Sequence, residues 1–191
     1  MIYASKLMMQ SAKPLGYVED DSLLFKRENE IWGASGSSAL TVNIPNVRSG
    51  ENAFTYCGTI PLLTGWNCKV MGSGPYFYRY EDGRVFWRNY NSSGSLSEAI
   101  KGSLDVQPYV AATMFFPTED TVTFTLSVDG SETVETTGAI SGNWNFKATD
   151  VDFRVPNSER NKVIDLGLVY NRVLTDAELE QNYKAFLAKH R

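Results

Sequence analysis

The clearest hydrophobic pattern in the chain is Thr121-Val122-Thr123-Phe124-Thr125-Leu126-Ser127-Val128, in which four apolar residues alternate strictly with hydroxyl residues. That period of two marks a strand buried on one face. It runs into Asp129-Gly130-Ser131, which reads as a three-residue hairpin loop with glycine in the left-handed position. This loop length sets Leu126 opposite Val134 on the return strand Glu132 to Thr136, whereas a two-residue loop would set it opposite Thr133. The longer loop keeps apolar side chains together.

A second hairpin is written around Asp82-Gly83, between Tyr76-Phe77-Tyr78-Arg79-Tyr80 and Val85-Phe86-Trp87-Arg88-Asn89-Tyr90. With a two-residue turn one face collects Tyr76, Tyr78, Tyr80, Val85, Trp87 and Asn89 and reads as buried. The other collects Phe77, Arg79, Phe86 and Arg88. Further strands are expected at Ala39 to Ile44, Ala53 to Ile60, Trp66 to Met71, Tyr109 to Phe116, Asp150 to Val155 and Val163 to Tyr170. Roughly nine or ten short strands at such intervals predict an all-β sandwich or barrel. Gly33 to Ser38 and Asn91 to Ser97 read as Gly/Ser-rich loops.

One helix is signalled, at the C-terminal end. Thr175-Asp176-Ala177-Glu178 has the form of a capping box, with Leu174 and Leu179 placed for a hydrophobic staple across it. Leu179, Tyr183, Phe186 and Leu187 make one apolar stripe, and Lys184, Lys189 and Arg191 suit the negative C-terminal end of the helix dipole. The stripe predicts packing on the sheets.

The 191 residues, 42% hydrophobic and 21% charged, fit one globular domain, with residues 1–50 either completing it or forming an extended arm. A formal charge of -4 offers no basic footprint for nucleic acid or an anionic membrane. The sequence shows neither a secretion signal nor a run of roughly 18 apolar residues. Cys57 and Cys68, the only cysteines, read as reduced core thiols, with a cross-strand disulfide as the alternative.

The run Ile164-Asp165-Leu166-Gly167-Leu168-Val169-Tyr170-Asn171-Arg172-Val173-Leu174-Thr175-Asp176-Ala177-Glu178-Leu179 resembles the closing strand and helix of laminin-G-like, concanavalin A-like jelly-roll domains. Leu126-Ser127-Val128-Asp129-Gly130, Val110-Ala111-Ala112-Thr113 and Phe54 to Ile60 are similar to further strands of that family. The resemblance implies two antiparallel sheets packed face to face with the C-terminal helix against them. Within the family, Asn182-Tyr183-Lys184-Ala185 and the basic terminus resemble the version found in bacteriophage virion proteins. This implies a structural protein of a particle assembled in the host cytoplasm, contacting capsid or tail subunits or a glycan, with self-association open. A soluble lectin is the alternative, and a glycoside hydrolase a remoter one.

Catalysis has little support in the residues. Jelly-roll hydrolases use a Glu-x-Asp-x-x-Glu strand, and that spacing is absent. Asp176, Glu178 and Glu180 alternate on a helix and read as a cap and a solvated face. Glu28 and Glu30 read as charged surface. His190, expected to fray at the terminus, offers no base for a nucleophile. We therefore expect no enzyme.

The face of Phe77, Arg79, Phe86 and Arg88 is the expected binding surface, each guanidinium lying over a ring across the hairpin. A protein partner is its first reading, a glycan platform the second, and a face covered by the chain's own loops or helix the third. Arg79→Ala with Arg88→Ala should weaken partner or glycan binding without unfolding. No cofactor is expected; a calcium site, which the wider family often carries, would draw on Asp129, Asp150 and Asp152. Asn91-Ser92-Ser93 fits a glycosylation sequon but reads as a chance polar loop.

Overall fold

A computed structural model describes residues 16–31, 40–43, 53–60, 68–69, 76–79, 82–91, 94–118, 121–139, 150–153 and 163–191. The strands are β1 (Leu23–Ile31), β2 (Leu40–Asn43), β3 (Phe54–Thr59), β4 (Cys68–Lys69), β5 (Tyr76–Arg79) and β6 (Arg84–Asn91). They continue as β7 (Gly94–Lys101), β8 (Tyr109–Thr118), β9 (Thr121–Val128), β10 (Val134–Ala139), β11 (Asp150–Phe153) and β12 (Val163–Tyr170), before helix α1 (Asp176–His190). One sheet has the order β1-β12-β3-β8-β9-β10, another β4-β5-β6-β7, and β2 pairs with β11. All pairings are antiparallel. The result is the two-sheet jelly-roll β-sandwich with a C-terminal helix packed on it.

The alternation in β9 fixes which way the large sheet faces. Leu126 pairs opposite Val134 as expected, and Gly130 takes φ +72 in the loop between them. Val122, Phe124, Leu126 and Val128 are buried with Val110, Ala112 and Met114 of β8, on the side where β6 and β7 approach β9. The opposite side carries Cys57, Tyr109, Ala111, Leu166, Leu168 and Tyr170, which form one cluster with Leu174, Ala185 and Phe186 of the closing segment. The central strands β12, β3 and β8 are thus buried on both faces over most of their length, and every residue of β3 is buried.

The capping box is present: Thr175 accepts from the Glu178 backbone N–H, and Glu178 accepts from the Thr175 N–H at 2.8 Å. Leu174 is buried and Leu179 packs on the same cluster, as a staple requires. The helix also buries Asn182, which the apolar stripe does not include. Asn182 Oδ1 accepts from Val18 N at 2.8 Å, Asn182 Nδ2 donates to Tyr170 Oη at 3.1 Å, and Tyr170 Oη donates to Val18 O at 2.9 Å. A closed polar network inside an apolar cluster satisfies every group it buries. It ties the N-terminal segment to the helix.

One feature differs from expectation, the start of β7, and at β1 and Cys57 the structure selects between readings the sequence left open. β1 pairs with β12 along most of its length, so residues 23–31 complete the large sheet instead of forming an arm. Its charges conceal the strand: Glu28 pairs with Lys189 at 3.1 Å and Glu30 with Arg27 at 3.0 Å. β7 begins at Gly94, inside the expected Asn91 to Ser97 loop, because pairing to β6 overrides weak local preference. Cys57 is a free, fully buried thiol under the helix, while Cys68 lies on β4 in the other sheet. The disulfide alternative is therefore overturned. Gly33 to Ser38 lies outside the described residues.

Arg172 joins three segments by donating to Glu178 at 2.6 and 2.8 Å, to Asp20 at 2.6 Å and to Ser22 Oγ at 3.0 Å. The guanidinium, foremost, holds the Glu178 carboxyl down to about 2 from its ordinary 4.5. A carboxyl depressed on folding stabilises the fold fully above its unfolded value and loses that effect as pH falls through the folded one. We expect Glu178→Gln to lower the free energy of unfolding read from urea titrations at pH 7 by about 1 kcal/mol for so solvent-accessible a pair. The difference should shrink between pH 4.5 and 2 and vanish below it; a pH-independent difference in urea titrations would contradict this assignment.

Candidate binding cleft

The register of the β5–β6 hairpin decides the fate of the expected binding face. Arg79 pairs with Val85, Tyr78 with Phe86, Phe77 with Trp87 and Tyr76 with Arg88. A two-residue Asp82-Gly83 turn would have set Arg79 opposite Phe86, so the strands are one residue out from that register. Gly83 has φ +85, but Asp82 does not share the positive φ that a two-residue turn needs at both its residues, and it accepts from Arg84 N at 3.0 Å. The one-residue shift redistributes the positions. Positions 77 and 79 now share a face with 85 and 87, while 86 and 88 share the other with 76 and 78. The expected Phe77–Arg88 and Arg79–Phe86 pairs therefore do not form, and the four positions do not lie on one face. Val85 is fully buried and Arg84 exposed.

A concave site lies elsewhere, between α1 and the polar side of the β9–β10 hairpin. This cleft has a volume of about 460 Å³, within the range of small-molecule sites. Ala111 and Ser127 come from β8 and β9, Gly130 to Thr133 from the hairpin loop, and Asp176, Leu179, Glu180, Tyr183, Lys184 and Leu187 from the helix, with Tyr109 completing it. The helical members recur at three- and four-residue steps, so they form one stripe along α1. Ser127 is one of the hydroxyl residues that alternate with the core residues of β9.

Tyr183 shapes one end of the cleft. Its hydroxyl donates to Asp129 O at 2.8 Å, and its ring lies 5.2 Å from that of Tyr109. A Cβ added to Gly130 would meet Tyr183 Cε1 at 2.3 Å, so glycine is required there by contact as well as by its positive φ. Burial, foremost, pushes the Tyr183 phenol up. Ser127 Oγ donates to Ser131 O at 2.8 Å, and Val128 N donates to Ser131 Oγ at 3.0 Å, which fixes the loop. The rim is charged: Lys184 pairs with Glu180 at 2.6 Å, and Glu132, Asp176 and Glu180 are exposed.

The other sequence candidates take structural places. Glu178 belongs to the cap and the Arg172 cluster, whereas Asp176 and Glu180, four residues apart, border the cleft. Asp129 accepts from Tyr109 N at 2.9 Å and Ser103 N at 3.2 Å through its two carboxylate oxygens and takes φ +51, which makes it a loop-fixing residue. Among the described residues no group of three metal-ligating side chains occurs. His190 is not frayed: it ends the helix and stacks on Phe186 at 5.0 Å between ring centroids. Asp165 has a carboxyl pushed up, chiefly by burial, and does not line the cleft. Burial also pushes the Cys57 thiol up to about 12, which leaves it an inert core group.

The sequence matches no family model and no curated protein. Its structure is similar to the botulinum neurotoxin serotype D binding domain, with a TM-score of 0.53 at 15% identity over 86% of this chain and 45% of that one. The binding domain of Paraclostridial Mosquitocidal Protein 1 gives 0.51 at 14% identity over 84% of this chain and 47% of that one. The Ruminococcus gnavus IT-sialidase CBM40 gives 0.51 at 14% identity over 82% of this chain and 96% of that one. The chain spans about half the length of the toxin binding domains and nearly all of the CBM40 module. These neighbours are binding domains, and at such identities the likeness is one of fold. Among the described residues no helix is long and apolar enough to cross a membrane.

Proposed function

We propose that this jelly roll is a non-catalytic binding module that holds a saccharide in the cleft between α1 and the β9–β10 hairpin. The observation that carries the reading is the lining itself. Tyrosine rings and leucines suit the C–H face of a sugar, and Ser127, Thr133 and the rim carboxylates offer acceptors and donors for its hydroxyls. The sandwich supports the role by fixing both walls, one on a hairpin whose other face is buried in the core and one on a capped helix. Bond cleavage is disfavoured because glycoside hydrolysis needs a carboxyl sequestered from water beside a second one, and the rim carboxylates are exposed.

Ser127→Phe fills the floor of the cleft. In a screen of immobilised saccharides we expect the wild-type chain to retain at least one class and Ser127→Phe to lose tenfold or more in affinity while staying folded, with a melting temperature lowered by no more than about 5 °C for the lost Ser127–Ser131 bond. Saccharide should also raise the wild-type melting temperature by mass action. Retention by Ser127→Phe, or wild-type binding to no saccharide, would remove the reading.

The face of β5 and β6 that holds positions 76, 78, 86 and 88 is a second surface worth testing, since its residue types, two tyrosines, a phenylalanine and an arginine, are typical of interfaces. Loss of binding in Phe86→Ala with Arg88→Ala, two positions on that face, and not in Ser127→Phe, would transfer the site there. Membership of the laminin-G-like family and a place on a phage particle, against capsid or tail subunits, rest on sequence resemblance. Mass spectrometry of purified particles tests that location.

A further inference from the structure

The charge on the cleft is one-sided, and this has a consequence for what enters it. Three carboxylates, Glu132, Asp176 and Glu180, stand at the rim against one ammonium, Lys184. That ammonium is engaged by Glu180 at 2.6 Å. Neither Glu132 nor Asp176 has a cationic partner among the described residues, and both are exposed at the mouth. An acidic saccharide would bring its carboxylate against two like charges that no side-chain cation pairs, of which the helix dipole offsets only part of the one at Asp176. A protonated amine would meet the opposite field.

We propose that the cleft selects amino-bearing saccharides, hexosamine units with free ammonium groups, over neutral saccharides and excludes carboxylated ones, with Glu132 and Asp176 as the selecting residues. This rests on the cleft being the saccharide site. The ligand's ring occupies the floor at Ser127, and its ammonium lies toward the hairpin loop and the first turn of α1. Lys184 remains with Glu180, so its charge does not cancel the selection.

Three trisaccharides separate the possibilities by calorimetry on the full chain: the trimer of glucosamine, its fully N-acetylated counterpart, and sialyllactose. At low salt the glucosamine trimer is expected to bind on the order of fivefold more tightly than the N-acetylated trimer, which has the same skeleton and no charge. The advantage should fade toward 0.5 M salt, as screening predicts. Glu132→Gln should remove most of it and Glu132→Gln with Asp176→Asn all of it, whereas Asp105→Asn, a carboxylate outside the cleft, should leave it intact. Circular dichroism confirms that each variant is folded.

Equal or tighter binding of the N-acetylated trimer or of sialyllactose, abolished by Ser127→Phe, would overturn the selectivity and leave the saccharide reading standing. An advantage that Asp105→Asn reduces as much as Glu132→Gln would assign it to the net charge of the chain and overturn the inference. Failure of all three to bind, together with a blank saccharide screen, would overturn both readings.

Discussion

Phe186→Ala is expected to lower the free energy of unfolding by about 3–5 kcal/mol, the range for deleting a buried ring from a core that cannot collapse around the gap. Phe186 is 1% exposed and lies 5.1 Å, between centroids, from Tyr109 on one side and 5.0 Å from His190 on the other. Collapse is resisted because the floor beneath it is a paired sheet carrying Cys57, Leu166 and Leu168, and the helix is pinned at both ends. The cap and Arg172 hold its start, while Arg191 donates to Gln107 O at 2.7 Å at its end. Urea unfolding should report the loss, and saccharide affinity should fall with it, since one wall of the cleft is α1. Val173→Ala, at a position 43% exposed, should change stability by less than about 0.5 kcal/mol. A Phe186→Ala midpoint close to wild type would mean that the helix contributes little to the fold.

Gly58→Ala should cost about 3 kcal/mol for a different reason. Gly58 pairs directly with Gly167 where β3 meets β12. A Cβ on Gly58 would lie 2.4 Å from Leu166 O, 2.7 Å from Tyr56 Oη and 2.9 Å from Gly167 Cα. Two of these three are backbone atoms of the neighbouring strand, so relief requires β12 to move away from β3. That lengthens ladder hydrogen bonds in the middle of a buried sheet, where no water replaces them. Gly16→Ala is the comparison: nothing lies within 4 Å of a Cβ there, and its midpoint should be unchanged. Equal effects of the two substitutions, measured by thermal and urea unfolding, would show that the β3–β12 approach is looser than described.

The contrast between the two hairpins shows where sequence reasoning about register holds. In β9–β10, four apolar residues opposite a single return strand penalise every slip, so loop length and pairing follow from the pattern. The β5–β6 segments are aromatic on both faces, and either register buries rings, so the pattern does not choose between a two-residue turn and a longer one. Asp82, which does not take the positive φ that a two-residue turn needs at both its residues, goes with the other register, and with it the expected binding face came apart. β1 shows the same limit from the other direction. Its charged residues have strand spacing, but only pairing with β12 and ion pairs to the helix make a strand of them.

Local grammar is enough to write much of this protein: the alternation of β9, the three-residue loop at Gly130, the capping box at Thr175 and the apolar stripe of α1 each follow from interactions a few residues long. The all-β sandwich follows from their number and spacing. What tertiary structure alone decided is the cleft, because its walls lie 50 residues apart in sequence and their separation depends on how α1 rests on Tyr109 and Gly130. It also decided that Asn182 is a buried clamp, since a polar residue on a helix is recognised as internal only when its partners, Val18 and Tyr170, arrive from distant parts of the chain.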